Sequence, residues 1–317
     1  MISKFHKWVD VLLETVHQLR PTISSDADLS VHTLICHQHL IYYLFSIKMF
    51  LTLSGLATQV VAYDDGTLSR DDASILQNEL PGITMIPATA VRSSHHLRRF
   101  PNCARFLHEH VLAPKLLAVH RFAYTNRIIL LDSDVLFLRH PEEIVNWCLG
   151  KDTVTGMYAA DPSRNESVTL TPYEFAQAGS HFVPHFNSGL CCLLRDQFKL
   201  SLIEKTLPIL RFRRRSSRWL EEQTLWALLV GRHSFRVLPS HYLMRGIHRP
   251  CRSYDLSRLT AIHYSSPKDQ FFREGVQYLI ARNRLQGPVE VPEVIPWTSD
   301  EHSSKRRHAD FMARRPS

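Results

Sequence analysis

The sequence lacks the marks of a stapled or exported small protein. Its six cysteines, Cys36, Cys103, Cys148, Cys191, Cys192 and Cys251, form no C-x-x-C pair and no disulfide-framework spacing. Several stand in apolar stretches, where a free thiol behaves as a small hydrophobe, so a reducing compartment is expected. The first twenty residues do not have the charged-then-apolar layout of a signal peptide. The longest apolar run, 40–56 (LIYYLFSIKMFLTLSGL), is 17 residues long and interrupted by Lys48. That is marginal for a membrane span and reads better as a buried helix packed on a sheet. A cytoplasmic location follows as an expectation.

Motifs are missing too. No G-x-x-x-x-G-K-[ST] or G-x-G-x-x-G is present, which argues against a P-loop enzyme and a dinucleotide oxidoreductase. No G-x-S-x-G elbow occurs. His108-Glu109-His110 cannot place two histidines on one helical face, unlike H-E-x-x-H.

What is present is a chain of 317 residues, 44% hydrophobic and 21% charged, without low-complexity segments, so most of it should fold. The formal charge is +8. Much of the excess lies in Arg211 to Arg218 (RFRRRSSR) and Lys305 to Arg315. Neither block interleaves aromatics as a base-stacking surface would, so no specific nucleic-acid partner is expected. A solvated basic face and a frayed tail are the simpler reading. Peripheral contact with an anionic membrane, at its inner face, is compatible with it.

Residues 3–20 repeat apolar positions at helical spacing and stop at Pro21. From His32 strands and helices alternate. HTLIC is a strand, and a helix over 39–53 ends at Gly55. ATQVVAYDDG is the second strand and its turn, and a helix over 68–80 has Ser69 as N-cap. ITMIPA is the third strand, a long helical stretch runs over 102–123, and NRIILL leads into Asp132. This order predicts an α/β fold with a parallel sheet and right-handed crossovers. Ligands bind beyond the carboxyl ends of such strands, where His37, Asp64, Asp65, Asp132 and Asp134 all fall. The second half is expected to add strands DTVTGMY, SGLCCLL, SFRVLP and TAIHY, with helices over 196–210, 219–230 and 270–284. The expected division is 1–29 as helix and connector, 30–285 as the main domain, and 286–317 as a basic tail.

Ile128-Ile129-Leu130-Leu131 is uniformly apolar, as a strand buried on both faces should be. Asp132 and Asp134 then point the same way if strand geometry persists, and Ser133 between them is small enough to admit a ligand to the backbone. Two hard oxygens on one side suit Mg²⁺ or Mn²⁺.

The segment NRIILLDSDVLFLRHPEEI resembles the DxD core of a GT-A fold glycosyltransferase, most closely glycosyltransferase family 8, which includes glycogenin. The resemblance implies a mostly parallel central sheet flanked by helices, and further matches follow in order. Lys115 stands where the family's preceding helix carries a donor-contacting base, usually Arg. HFNSGLCCLL resembles the family's Phe-Asn-(Ala/Ser)-Gly segment, which implies that Asn187, Ser188 and Gly189 lie beside the sugar. Glu222-Gln223 takes the place of an Asp-Gln pair facing the acceptor. TAIHYSSPKDQF resembles the late element in which His263 would complete the metal shell and Lys268 would contact the diphosphate. There the intervening Gly is absent and the Lys arrives one residue early. An imidazole ligand favours Mn²⁺ over Mg²⁺.

Tyr63-Asp64-Asp65-Gly66-Thr67 instead resembles the Asp-Asp-Gly-Ser element of family 2 enzymes, which makes Asp64 and Asp65 donor-site candidates, as His37 is by position. An Asp-Gly turn explains them equally well. After the first strand Cys36-His37-Gln38-His39 replaces the Gly-rich signature of sugar nucleotidylyltransferases.

The resulting expectation is transfer of a sugar from a nucleoside-diphosphate donor, UDP-linked by resemblance, to a saccharide, lipid or protein. The cation would sit on Asp132, Asp134 and His263, with Asn187 and Glu222 as catalytic candidates. If configuration inverts, Glu222 is the candidate general base. The alternatives are a metal-dependent nucleotidyltransferase or phosphoester hydrolase on the same Asp pair, and a non-catalytic scaffold binding anionic surfaces.

Overall fold

The computed structural model describes residues 19, 21, 23–161, 167–212, 218–245, 254–265 and 270–286. The expected amino-terminal helix, most of the basic segment after Arg211, Lys268 and the basic tail lie outside the described residues.

The chain opens with β1 (Leu29–Ile35), α1 (Leu40–Ser54), β2 (Gln59–Asp64), α2 (Arg70–Glu79), β3 (Thr84–Ile86) and the single turn α3 (Ala88–Val91). It continues through α4 (Pro101–Glu109), α5 (Ala113–Phe122), β4 (Arg127–Leu131), β5 (Val135–Phe137), α6 (Glu142–Cys148) and β6 (Gly156–Ala160). Then come α7 (Pro172–Gln177), β7 (Phe186–Leu194), α8 (Leu200–Phe212), α9 (Arg218–Val230), β8 (Phe235–Val237), β9 (Tyr242–Arg245) and β10 (Ala261–Tyr264). A π-helical turn over Phe271–Val276 leads into α10 (Gln277–Gln286).

Seven strands form the main sheet in the order β3-β2-β1-β4-β7-β6-β8. The first four are mutually parallel, β6 and β8 are parallel, and β7 runs antiparallel to both neighbours. The sheet is therefore mostly parallel, as expected, with one reversed strand that the sequence reading missed. A second sheet, β5-β10-β9, was also missed in part, because β5 and β9 are only 3 and 4 residues long.

The uniform apolarity of β4 has the anticipated cause. Ile129 and Leu131 belong to the core on one face of the sheet, and Ile128 and Leu130 to the core on the other. α1 is buried almost throughout and ends on Gly55 in the left-handed region (φ 65°). Its Lys48 is fully buried and is neutralised by Glu79 of α2 at 2.6 Å. Among the described residues no helix is long and apolar enough to cross a membrane.

Ser69 caps α2 through a reciprocal box with Asp72. The helical stretch expected over 102–123 is two helices. Pro114 in the first turn of α5 has no N–H and would collide with the carbonyl four residues back, so the chain extends at His110 (φ −116°, ψ 128°) and restarts. The helix expected from 196 begins at Leu200, after a 3₁₀ turn over Arg195–Gln197. Gly275 seats the π turn, since a Cβ there would strike Leu136 and the Tyr264 hydroxyl.

Leu131 is fully buried immediately before the Asp pair. Leu131→Ala is expected to cost about 2–5 kcal/mol of unfolding free energy with the urea m-value unchanged. A change below ~1 kcal/mol would mean that this strand end is not held by packing.

Candidate active site

Because β7 is reversed, its amino end lies beside the carboxyl end of β4. The Asp132 N–H donates to the Gly189 carbonyl at 2.7 Å, which continues the ladder one residue past Leu131↔Leu190. Strand geometry then stops. The Val135 N–H returns to the Asp132 carbonyl at 3.2 Å, so Asp132-Ser133-Asp134 is a turn between β4 and β5, not the continued strand expected. The two carboxylates converge through this turn rather than through strand alternation.

They converge on His263 of β10. Its Nε2 stands 3.1 Å from Asp134 Oδ1 and 3.8 Å from Asp132 Oδ2. Among the described residues these three have ligand atoms all within 4.8 Å of one another. The ring orientation is fixed by Asn187. Its Oδ1 accepts from the Gly189 N–H at 2.9 Å, which sets the amide, and so it must also accept from His263 Nδ1 at 2.9 Å. Nδ1 therefore carries a proton, and Nε2 is the nitrogen that faces two carboxylates. A shared divalent cation would satisfy all three groups, and the imidazole is already oriented through its other nitrogen.

Gly189 makes this seat possible. A Cβ at 189 would overlap the His263 ring. The resemblance implies that this glycine lies beside the sugar; here it admits the imidazole. Ser133 likewise meets protein, with its Oγ 3.2 Å from His39 Nδ1, while Ser46 Oγ of α1 donates to the Asp132 carbonyl at 3.3 Å.

A buried charged group lies behind the turn. Lys115 Nζ of α5 pairs with Asp132 Oδ1 at 2.7 Å, stands 3.8 Å from Glu222 Oε1 and donates to Ser188 Oγ at 3.3 Å. Ser188 Oγ in turn donates to Glu222 Oε2 at 3.0 Å. Burial alone would lower the Lys115 pKa, but the Asp132 and Glu222 carboxylates outweigh it and hold the ammonium above its ordinary range. Burial pushes Glu222 up to about 7 and the charge of Asp132 adds to this, against the opposing pull of Lys115 and the Ser188 hydrogen bond. Gln223 Oε1 accepts from Asn187 Nδ2 and the Ser188 N–H, both at 3.4 Å, and its Nε2 donates to the Ser167 carbonyl.

Asp132, Ser133, Asp134, Lys115, Asn187, Ser188, Gly189, Glu222, Gln223 and His263 thus form one connected cluster. The remaining candidates stand apart from it. His37 is largely exposed and pairs with Asp72 at 2.8 Å. Asp64 Oδ1 accepts the Gly66 and Leu68 N–H groups, and Asp65 Oδ1 accepts the N–H and hydroxyl of Thr67. Both carboxylates are used in the turn after β2. His39 and Ser46 join the site without having been among the expected residues. His39 had one available signal, its place at the start of α1 immediately after the first strand.

No family model and no curated protein matches the chain. Among solved structures, apo mouse xyloside xylosyltransferase 1 is similar with a TM-score of 0.50 at 13% identity, over 76% of this chain and 98% of that one. An active-site mutant of the galactosyltransferase LgtC is similar with a TM-score of 0.50 at 13% identity, over 78% and 96%. The chain has the GT-A fold.

Two outcomes follow from this geometry. Gly189→Ala should fold but displace His263, weakening Mn²⁺ binding in titration calorimetry by about tenfold or more; unchanged affinity would refute the glycine seat. For Glu222, the folded pKa of about 7 lies above the ordinary carboxyl value of 4.5. Below the ordinary value both states are protonated and nothing is lost. As pH rises toward the folded pKa the unfolded chain releases its proton first, so stability falls and stays lower above it. Glu222→Gln removes this loss, and its stability relative to wild type should rise across that window in metal-free urea titrations. A pH-independent difference would contradict the burial of an ionisable Glu222.

Proposed function

We propose that the chain is a metal-dependent glycosyltransferase that uses a nucleoside-diphosphate-sugar donor, UDP-linked by family resemblance, and a saccharide, lipid or protein acceptor. One observation carries this reading: Asp132, Asp134 and His263 converge at the carboxyl end of a central strand, the ligand position of an open α/β sheet. The GT-A fold supports it.

Asp132, Asp134 and His263 fit a divalent cation by donor set and by the orientation of the ring, and the nitrogen donor favours Mn²⁺ over Mg²⁺. Such a cation, when bound, supplies neutralisation of the diphosphate on which negative charge develops as the glycosidic bond breaks. The chain's own residues do the rest. Lys115 adds a buried positive charge behind the Asp pair, and Lys268 is the further candidate for the diphosphate. His37, Asp64 and Asp65 stand at the carboxyl ends of β1 and β2, where the nucleoside end of the donor would lie. Asn187 acts chiefly by orienting His263, with its second amide hydrogen left for a sugar hydroxyl. Ser188 and Gly189 line the same strand end.

Glu222, with Gln223 beside it, faces the acceptor side. A carboxyl group titrating near 7 can hold or release a proton at neutral pH, as a general base must if configuration inverts. The buried cysteines Cys103, Cys148, Cys191 and Cys192 form no disulfide, which a reducing compartment allows, and the inner membrane face is a compatible place of work.

The test is a thermal-shift panel of UDP-, GDP- and CMP-sugars with and without Mn²⁺, followed by product analysis. One nucleotide class should stabilise the chain only with the metal, and turnover should release nucleoside diphosphate. Release of monophosphate or pyrophosphate would favour a hydrolase or nucleotidyltransferase instead. Salt-sensitive binding to anionic vesicles without any nucleotide effect would favour the non-catalytic scaffold. Asp134→Asn should abolish transfer and leave the circular dichroism spectrum intact; normal turnover would sink the proposal.

A further inference from the structure

Lys115 stands between two carboxylates at unequal distance, 2.7 Å from Asp132 Oδ1 and 3.8 Å from Glu222 Oε1. Its side chain is only 6% exposed, so water cannot replace a carboxylate that it loses. Asp132 is asked to serve twice. Oδ1 holds the ammonium, and Oδ2 faces the His263 and Asp134 cluster. A divalent cation on that cluster would place two positive centres on one carboxylate, which repel one another most strongly in a partly buried site.

A second acceptor is already within reach. Glu222 Oε1 is buried and no donor meets it with full hydrogen-bond geometry, although the Trp226 indole favours the carboxylate and its partner oxygen takes the Ser188 hydroxyl. Ser188 Oγ contacts both Lys115 and Glu222, so a short swing of Nζ about this hydroxyl closes the longer gap. The required shortening is about 1 Å, from 3.8 Å to an ordinary charge-assisted hydrogen bond.

Resting on the cation reading above, we propose that Lys115 is an exchangeable counter-ion: it competes with the divalent cation for Asp132 and transfers to Glu222 Oε1 when the cation binds. The cation and the Lys115–Glu222 pair then strengthen each other by the same factor, as linkage requires. The occupied site would hold Glu222 Oε1 in a direct hydrogen bond to the ammonium, where the cation-free site leaves 3.8 Å between them. Lys115 thereby connects the donor side to the acceptor side of the cluster through a single charge.

The experiment is calorimetric titration of the full chain with Mn²⁺ alone, no nucleotide present, for wild type, Lys115→Met, Glu222→Gln, the double variant and Asp134→Asn. Lys115→Met should bind Mn²⁺ about tenfold more tightly, because its competitor is gone. Glu222→Gln should bind several-fold more weakly, because Lys115 has nowhere to go, and this weakening should vanish in the double variant. A purely structural role for Glu222 would give the same loss in both backgrounds and would overturn the exchange. Equal or weaker binding by Lys115→Met would also overturn it. Lys115→Gln, judged by near-ultraviolet circular dichroism, replaces the Met variant if that chain does not fold. Asp134→Asn separates the two levels of inference. If it binds Mn²⁺ as wild type does, the cation reading fails and the exchange with it. If it loses the ion while Lys115→Met is unchanged, only the exchange fails.

Discussion

Asn187 Oδ1 accepts two hydrogen bonds, one from the N–H of Gly189 on its own strand and one from the ring of His263 on the second sheet. The geometry of the site depends on this shared acceptor. It fixes which way the amide lies and which imidazole nitrogen faces the Asp pair. It also joins two sheets that have no strand in common. The Tyr264 N–H, donating to the Asp134 carbonyl at 2.9 Å, closes the same junction from the backbone side. A side chain at 189 would occupy the space of the ring, so the glycine and the asparagine act as one device.

The reversed strand places that device. A parallel β7 would present its carboxyl end beside Asp132 and carry Asn187 to the opposite end of the strands. Running antiparallel, it delivers residues from its first turn of pleat to the ligand end, while α5 and α9 deliver Lys115 and Glu222 from the face behind. The consequence is a cationic side chain and an acidic one buried together. Such groups seldom stabilise a fold on balance, because desolvation offsets most of the attraction between them. A buried Glu222 held near neutrality beside a buried ammonium is better understood as a tuned pair than as a structural brace.

Sequence patterns and tertiary contacts divide the site between them. The four-residue apolar run before Asp132, the Gly55 stop and the Ser69 cap are local features, set by burial on both faces and by backbone hydrogen-bonding needs, so they could be read directly. The turn at 132–134 could not, because a turn and a continued strand have the same composition there. β5 follows at once and is only 3 residues long, too short to show a period. Pro114 was visible, yet apolar spacing on either side of it masked the break between α4 and α5. The roles of Gly189, Ser133 and His39 needed partners distant in sequence, and His37, the more obvious neighbour, turned out to pair with Asp72.

Histidine gives the sharpest case. The chain has nineteen, and position after an apolar strand singled out His263 only weakly. His32, on β1, is equally well embedded in apolar sequence and more deeply buried. Its two ring nitrogens meet hydroxyls, Ser30 at 2.6 Å and Tyr63 at 2.7 Å, and burial holds its pKa down to about 3. Both nitrogens are satisfied by neutral partners, so the ring is a finished part of the core. His263 has one nitrogen satisfied by an amide and the other turned toward two carboxylates. What distinguishes a candidate ligand from a core residue here is neither burial nor position along a strand, since the two share both. It is the charge of the partner facing the second nitrogen, and that is supplied by a turn more than a hundred residues away in the sequence.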